Sequence, residues 1–129
     1  MPEFVAYLPC KSEVGKRKKR LISLSWNYFC NYHKNYRGKI KEHFMELYKN
    51  YIPSEPISNV IQITYTLYTV DRRECDVANV CGLVDKFYCD TLVECGILKN
   101  DSFKYVPKIL YKYGGIYKER VAKVTISYK

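Results

Sequence analysis

Hydrophobic and polar positions change their period along this chain in a way that separates strands from helices. Residues 59–70, NVIQITYTLYTV, are rich in β-branched and aromatic side chains and read as the clearest strand. Residues 120–128, RVAKVTISY, alternate cleanly and make the last strand. LISLSW, from Leu21, alternates apolar with small polar residues as a half-buried strand does, and residues 3–9 make a further short strand. Two stretches follow the helical period instead. From Lys39, IKEHFMELYKNYI puts Ile40, Phe44, Leu47 and Tyr48 on one face and ends before Pro53. Residues 77–95 put Val77, Val80, Val84, Phe87, Tyr88, Thr91 and Cys95 on a broad apolar face and stop at Gly96, a favoured residue just past a helix end. Between these elements, residues 15–20 read as a basic turn or strand edge, NYFCNYHKNYRG (27–38) as a loop and SEPIS as a turn. Residues 103–113 read as a strand interrupted by Pro107, with Gly114-Gly115 as a hairpin turn. The sum predicts an α+β fold: a mixed sheet of about four strands with two main helices on one face.

At 129 residues the chain makes one domain, 1–129, with residues 1–20 as a basic N-terminal arm or strand. Charge narrows the partners. The formal net charge is +9, and much of it comes in blocks: Lys16, Arg17, Lys18, Lys19 and Arg20, then Arg72 and Arg73. Such a balance favours an acidic partner, of which nucleic acid is the commonest. No apolar run approaches transmembrane length and the N-terminus lacks a signal-peptide core, so a soluble, cytoplasmic chain with no membrane partner is expected. The six cysteines include no CxxC pair and four fall in or beside the second helix, which favours reduced thiols acting as small hydrophobes. His33 and His43 have no ligand-spaced neighbours and read as surface or packing residues. Fourteen tyrosines suggest half-polar strand faces, stacking surfaces or an interface.

The candidate chemistry lies in residues 72–106. Asp76 stands directly after a strand and a basic pair, at a helix start, and Asp101 follows the same helix in a loop. Carboxylates at such junctions hold divalent metals beside phosphodiesters. On a continuous helix, Asp76, Asn79, Lys86, Asp90 and Glu94 form a stripe interrupted only by Leu83, while Asp85 lies on roughly the opposite side. Each has an ordinary structural role to set against this: Asp76 as a helix cap, Lys86 and Asp90 as a surface pair, Asp101 as a turn residue.

This region resembles the RusA family of Holliday-junction resolvases, particularly small phage-encoded relatives. In that family a strand ends in basic residues, followed by a D-x-D-N turn, a helix with a lysine and a later D-A-L, a glycine, and a loop aspartate. The matching residues are Arg72-Arg73, Asp76-Val77-Ala78-Asn79, Lys86, Asp90-Thr91-Leu92, Gly96 and Asp101-Ser102. SLSWNYFCNYH also looks like the family's first strand and the loop after it, so the resemblance covers the chain from about Leu21 onward. Two departures stand out. Ala78 replaces the second aspartate, and the segment between Asn79 and Lys86 is about one helical turn longer. If that turn is a loop and the helix starts near Leu83, Asp85 falls in its first turn and supplies the missing ligand; otherwise Asp90 is the candidate.

The resemblance implies a Mg²⁺-dependent endonuclease that cuts branched DNA, the four-way junction above all, as a homodimer and with no small-molecule cofactor. Asp76, Asp101 and either Asp85 or Asp90 would hold Mg²⁺, for which Mn²⁺ is a possible substitute. Lys86 would offset charge on the phosphate, while the blocks at 16–20 and 72–73 would grip the DNA backbone. The alternatives are a nucleic-acid binder on the same fold that has lost catalysis, which Ala78 favours, and a phage protein-interaction factor using its aromatic surface.

Overall fold

The central strand of this protein is buried on both sides, and the rest of the fold follows from what covers it. The computed structural model describes residues 2–129. In chain order the elements are β1 (Glu3–Pro9), β2 (Lys11–Val14), β3 (Arg20–Ser23), α1 (Trp26–Phe29), α2 (Lys34–Tyr48), a single 3-10 turn (Lys49–Tyr51), β4 (Val60–Thr69), α3 (Val77–Glu94), β5 (Ile109–Ile116) and β6 (Val121–Tyr128). The main sheet has the order β1-β6-β4-β5, and β2 and β3 form a separate antiparallel pair. The fold is therefore α+β, with a four-stranded mixed sheet and two main helices.

β4, α3 and β5 make a crossover in which β5 returns parallel to β4, as a strand-helix-strand unit must when the helix packs on the sheet. β6 then passes to the other side of β4 and pairs antiparallel with both β4 and β1. Period two along β4 sends Ile63, Tyr65 and Leu67 to the helix side, where all three are fully buried. Their neighbours Thr64 and Thr66 face the opposite way. Register partners share a face, so Tyr7, Lys123, Thr66 and Lys112 form one row across all four strands on that helix-free side.

Aromatic rings link the layers. Tyr65 of β4 meets Tyr88 of α3 edge-on at 6.4 Å, Tyr88 meets Tyr48 of α2 at 6.1 Å, and Phe44 of α2 stacks on Phe87 of α3 at 6.4 Å. The buried hydroxyls find partners: Tyr48 donates to the Pro9 carbonyl at 2.8 Å and Tyr88 to the Tyr51 carbonyl at 2.7 Å. Losing one of these rings to alanine would cost about 3–5 kcal/mol. All six cysteines are free thiols; Cys10, Cys81 and Cys89 are buried, whereas Cys30 and Cys95 are exposed.

Several local expectations are corrected. The strand expected from Leu21 stops at Ser23, after the expected basic turn, which joins β2 to β3 with Arg20 opening β3. NYFCNYHKNYRG is not a loop throughout. It contains most of α1 and the first turn of α2, whose start His33 caps by accepting a bond from the Asn35 amide. The strand expected over 103–113 begins only at Ile109, after Pro107. On α3, Cys95 is exposed rather than part of the apolar face.

Gly114-Gly115 is not a hairpin turn either. Both glycines lie inside β5, where the register shifts so that Tyr113 and Gly115 pair with successive residues of β4 and Gly114 is left over. A Cβ on Gly114 would come within 2.7 Å of both the Thr66 methyl and the Tyr68 ring. Gly114→Ala should therefore destabilise the protein by about 1–3 kcal/mol through overpacking. Gly38→Ala, in α2 with nothing within 4 Å, should stabilise it by roughly 0.5–1 kcal/mol. Urea unfolding of the two variants beside wild type measures both signs.

Candidate nucleic-acid interface

β4 ends at Thr69, and seven residues later the chain enters α3 through Asp76. The connecting turn is tied at its base: Thr69 Oγ1 donates to the Asp71 carbonyl at 2.9 Å, and the Asp71 carboxylate accepts from the Arg73 amide at 2.9 Å. This holds Arg72 and Arg73 at the carboxyl ends of the two parallel strands. There they line an open cavity of about 570 Å³ with Val77, Tyr113 and Gly115. Open sheets with helical crossovers place ligands at this end. Arg72 forms no salt bridge among the described residues, and the guanidinium of Arg73 has only a 3.6 Å contact with Asp71. Two cations at the mouth of an open cavity suit a phosphate.

Asp76 and Asn79 have structural duties. Asp76 is the N-cap of α3 and accepts a bond from the Asn79 amide at 3.2 Å, a stabilisation of about 1 kcal/mol. The Asn79 side chain accepts from the Asn27 amide at 3.0 Å and donates to Ser25 Oγ at 2.7 Å, docking α1 on the first turn of α3. Trp26 closes the same contact over Gly82, where a Cβ would meet its indole nitrogen at 2.9 Å. The outer residues of the D-x-x-N signature thus fix how the helix starts.

α3 is continuous from Val77 to Glu94, so the extra turn is helical and the alternative of a helix beginning near Leu83 is overturned. Asp85 lies in mid-helix and faces β5. Its Oδ2 accepts from the Tyr111 hydroxyl at 2.8 Å and its Oδ1 from the Cys89 thiol at 3.2 Å. Burial first, and the neighbouring Asp85 charge second, push the Cys89 thiol far above its ordinary pKa. Burial and the bond to Asp85 do the same to Tyr111. Asp101 adds weakly to the negative field at Cys89, so its loop lies toward that part of the helix.

Lys86 and Asp90 belong to a seam between the helices. Asp90 is only 19% exposed and takes Lys41 of α2 at 2.7 Å and Lys86 at 3.3 Å, while Lys49 approaches Glu94 at 3.7 Å. Two acids of the α3 stripe, Asp90 and Glu94, are therefore engaged by lysines of α2 and of the turn after it. At helical rise, Asp85 and Asp90 stand about 13 and 21 Å along the axis from Asp76, while Asp101 is near enough to Cys89 to add to the field there. Among the described residues no group of three His, Cys, Asp or Glu side chains is close enough to hold a metal ion. Asp76, Asp85, Asp90 and Asp101 of one chain do not fit a shared Mg²⁺.

The other basic block, Lys16, Arg17, Lys18, Lys19 and Arg20, forms the exposed tip of the β2–β3 hairpin. A second cavity of about 640 Å³ between that hairpin and α2 is lined by Lys16, Lys18, Lys39 and His43, and none of these lysines is salt-bridged among the described residues. Sequence reasoning missed Tyr111 and Cys89 as the groups that hold Asp85, because their meeting depends on how α3 lies across β5. No helix among the described residues is long and apolar enough to cross a membrane. No family model matches the chain, and no curated protein does either.

Tyr111→Phe would leave a half-buried carboxylate short of a donor and should cost about 1–3 kcal/mol in urea unfolding. Alkaline pH tests the thiols. Burial, as the main cause, raises Cys10 and Cys81 from the ordinary 9.0 to about 12. Between those values the unfolded chain gives up protons that the folded chain keeps, so stability falls as pH rises above about 9. Cys10→Ala should flatten the fall in urea midpoint between about pH 9 and 11.

Proposed function

We propose that this chain is a structure-selective endonuclease acting on branched DNA as a homodimer, the activity that the RusA resemblance implies. The observation that carries the reading is the exposed arginine pair at the cavity beyond β4 and β5, with Asp76 beginning the helix between two residues that line it. Cations hold the phosphodiester there and an acid stands beside it. The KRKKR hairpin supplies a second set of phosphate contacts, so affinity should fall steeply with salt.

Mg²⁺ dependence belongs to this reading, although no three acids of one chain converge among the described residues. α3 holds Asp76 at its first turn, about 20 Å along the axis from Cys89, toward which the Asp101 loop lies. A two-fold dimer that set the Asp101 loop of one copy against the α3 N-terminus of the other would bring those acids together, and an isologous pair makes two such sites at once. Such an arrangement also matches the need for two nicks in a four-way junction.

A second reading, a nucleic-acid binder without catalysis, is favoured by two observations: Ala78 stands where the family has an acid, and Lys86 is engaged by Asp90. Cleavage of a labelled four-way junction with and without Mg²⁺ decides between them. The endonuclease requires paired nicks that disappear in Asp76→Asn and in Asp101→Asn. If each site draws on two copies, mixing the two inactive variants should restore about a quarter of the nicking, since half the exchanged dimers carry one intact site. Tight, salt-sensitive binding with no nicks in Mg²⁺ or Mn²⁺ would leave the binder.

A further inference from the structure

We infer that the helix-free face of the sheet is a stacking platform for unpaired bases of single-stranded nucleic acid. Tyr7 of β1, Tyr68 of β4 and Tyr117 of the β5–β6 connection form one cluster, with ring centroids 6.4, 6.0 and 5.7 Å apart. The Tyr7 and Tyr117 rings are nearly parallel, at 15°, and remain 43% and 37% exposed. No helix covers them, because α2 and α3 both pack on the other side.

The charge around the rings selects the occupant. Lys123 lies 6.0 Å above the Tyr7 ring and Lys118 5.8 Å above Tyr117. Lys112 continues the Tyr7–Lys123 row through Thr66. A second copy of this face would bring like charges together, whereas a polyanion neutralises them. An acidic protein surface would meet the lysines but has no use for flat rings, and bases have both properties. Stacking of bases on exposed aromatic rings beside cations is how sequence-tolerant single-strand binders work.

The platform also adjoins the arginine pair. The Tyr117 amide bonds the Thr69 carbonyl at 2.8 Å, at the end of the strand that leads into Arg72 and Arg73. A strand leaving a junction branch across those arginines meets the tyrosines next. The inference rests on the nucleic-acid reading above but fails separately from it.

The test is fluorescence anisotropy of the full chain with a labelled oligothymidine of about twenty residues and with a duplex of equal length. Tyr117→Ala and Tyr7→Ala should each weaken oligothymidine binding roughly tenfold, while the corresponding phenylalanine variants bind like wild type. Duplex affinity should stay unchanged in all four, and the salt slope should hold in the tyrosine variants but fall by about one in Lys123→Ala. Alanine variants that hold the oligomer as wild type does would overturn the platform. So would variants that change only the mass of the protein by light scattering, since the face would then be a contact between copies. A chain that cuts junctions with an indifferent tyrosine cluster keeps the endonuclease and loses the platform. One that holds oligothymidine through the tyrosines and cuts nothing does the reverse.

Discussion

Three tyrosines sit fully buried at the centre of this protein, and each hydroxyl must find a partner where water does not reach. Tyr48 and Tyr88 solve this by donating to backbone carbonyls at Pro9 and Tyr51. Those bonds tie α2 to the end of β1 and α3 to the turn after α2. Tyr65 has a long 3.7 Å contact with the Cys89 thiol and lies near the Asp85 carboxylate, the weakest of the three solutions. That thiol in turn donates to Asp85, which also takes Tyr111 of β5. A chain of polar contacts therefore runs from β4 through α3 to β5, inside an otherwise apolar layer. Its members support one another, and removing one leaves the next unpaired.

That chain changes how Asp85 should be understood. A carboxylate in mid-helix with two donors of its own is positioned to lock α3 across the parallel strands. Those two bonds fix its orientation toward β5. Asp90 is similarly occupied by two lysines, one from each helix. Asp76, at the helix start, and Asp101, in the loop that follows the helix, are exposed, so they keep the greatest freedom to meet something outside the chain.

The periodic segments of this chain were legible because burial there is set by one element alone. β4, α3 and β6 follow their residue patterns almost to the ends. The failures share a physical cause, which is that the deciding contact comes from far along the chain. Gly114-Gly115 has the composition of a turn, yet Thr66 and Tyr68 press on it from β4 and make it a bulge. Residues 27–38 are polar and rich in asparagine, yet Asn79 and Gly82 of α3 give α1 a place to dock. The site was half legible. Arginines after a strand and an aspartate at a helix start could be read from their order. The separation of the acids depended on whether the extra turn after Asn79 was coil or helix, and packing against Trp26 made it helix.

Charge and layering together suggest how such a small domain divides its surface. One sheet face is spent on the core, and the helices that cover it neutralise each other through Lys41, Lys86 and Asp90. Blocks of exposed cations stand at the β2–β3 hairpin and in the turn after β4. Lysines on the open sheet face are a third set, and these lie against tyrosine rings. A chain evolved only for solubility would scatter its positive charge among acids, because interspersed signs limit self-repulsion. Here residues 16–20 run without an acid among them, and Lys118 and Lys123 face solvent beside flat aromatic surface. That segregation costs stability through like-charge repulsion, and an anionic partner lying along those surfaces would relieve it.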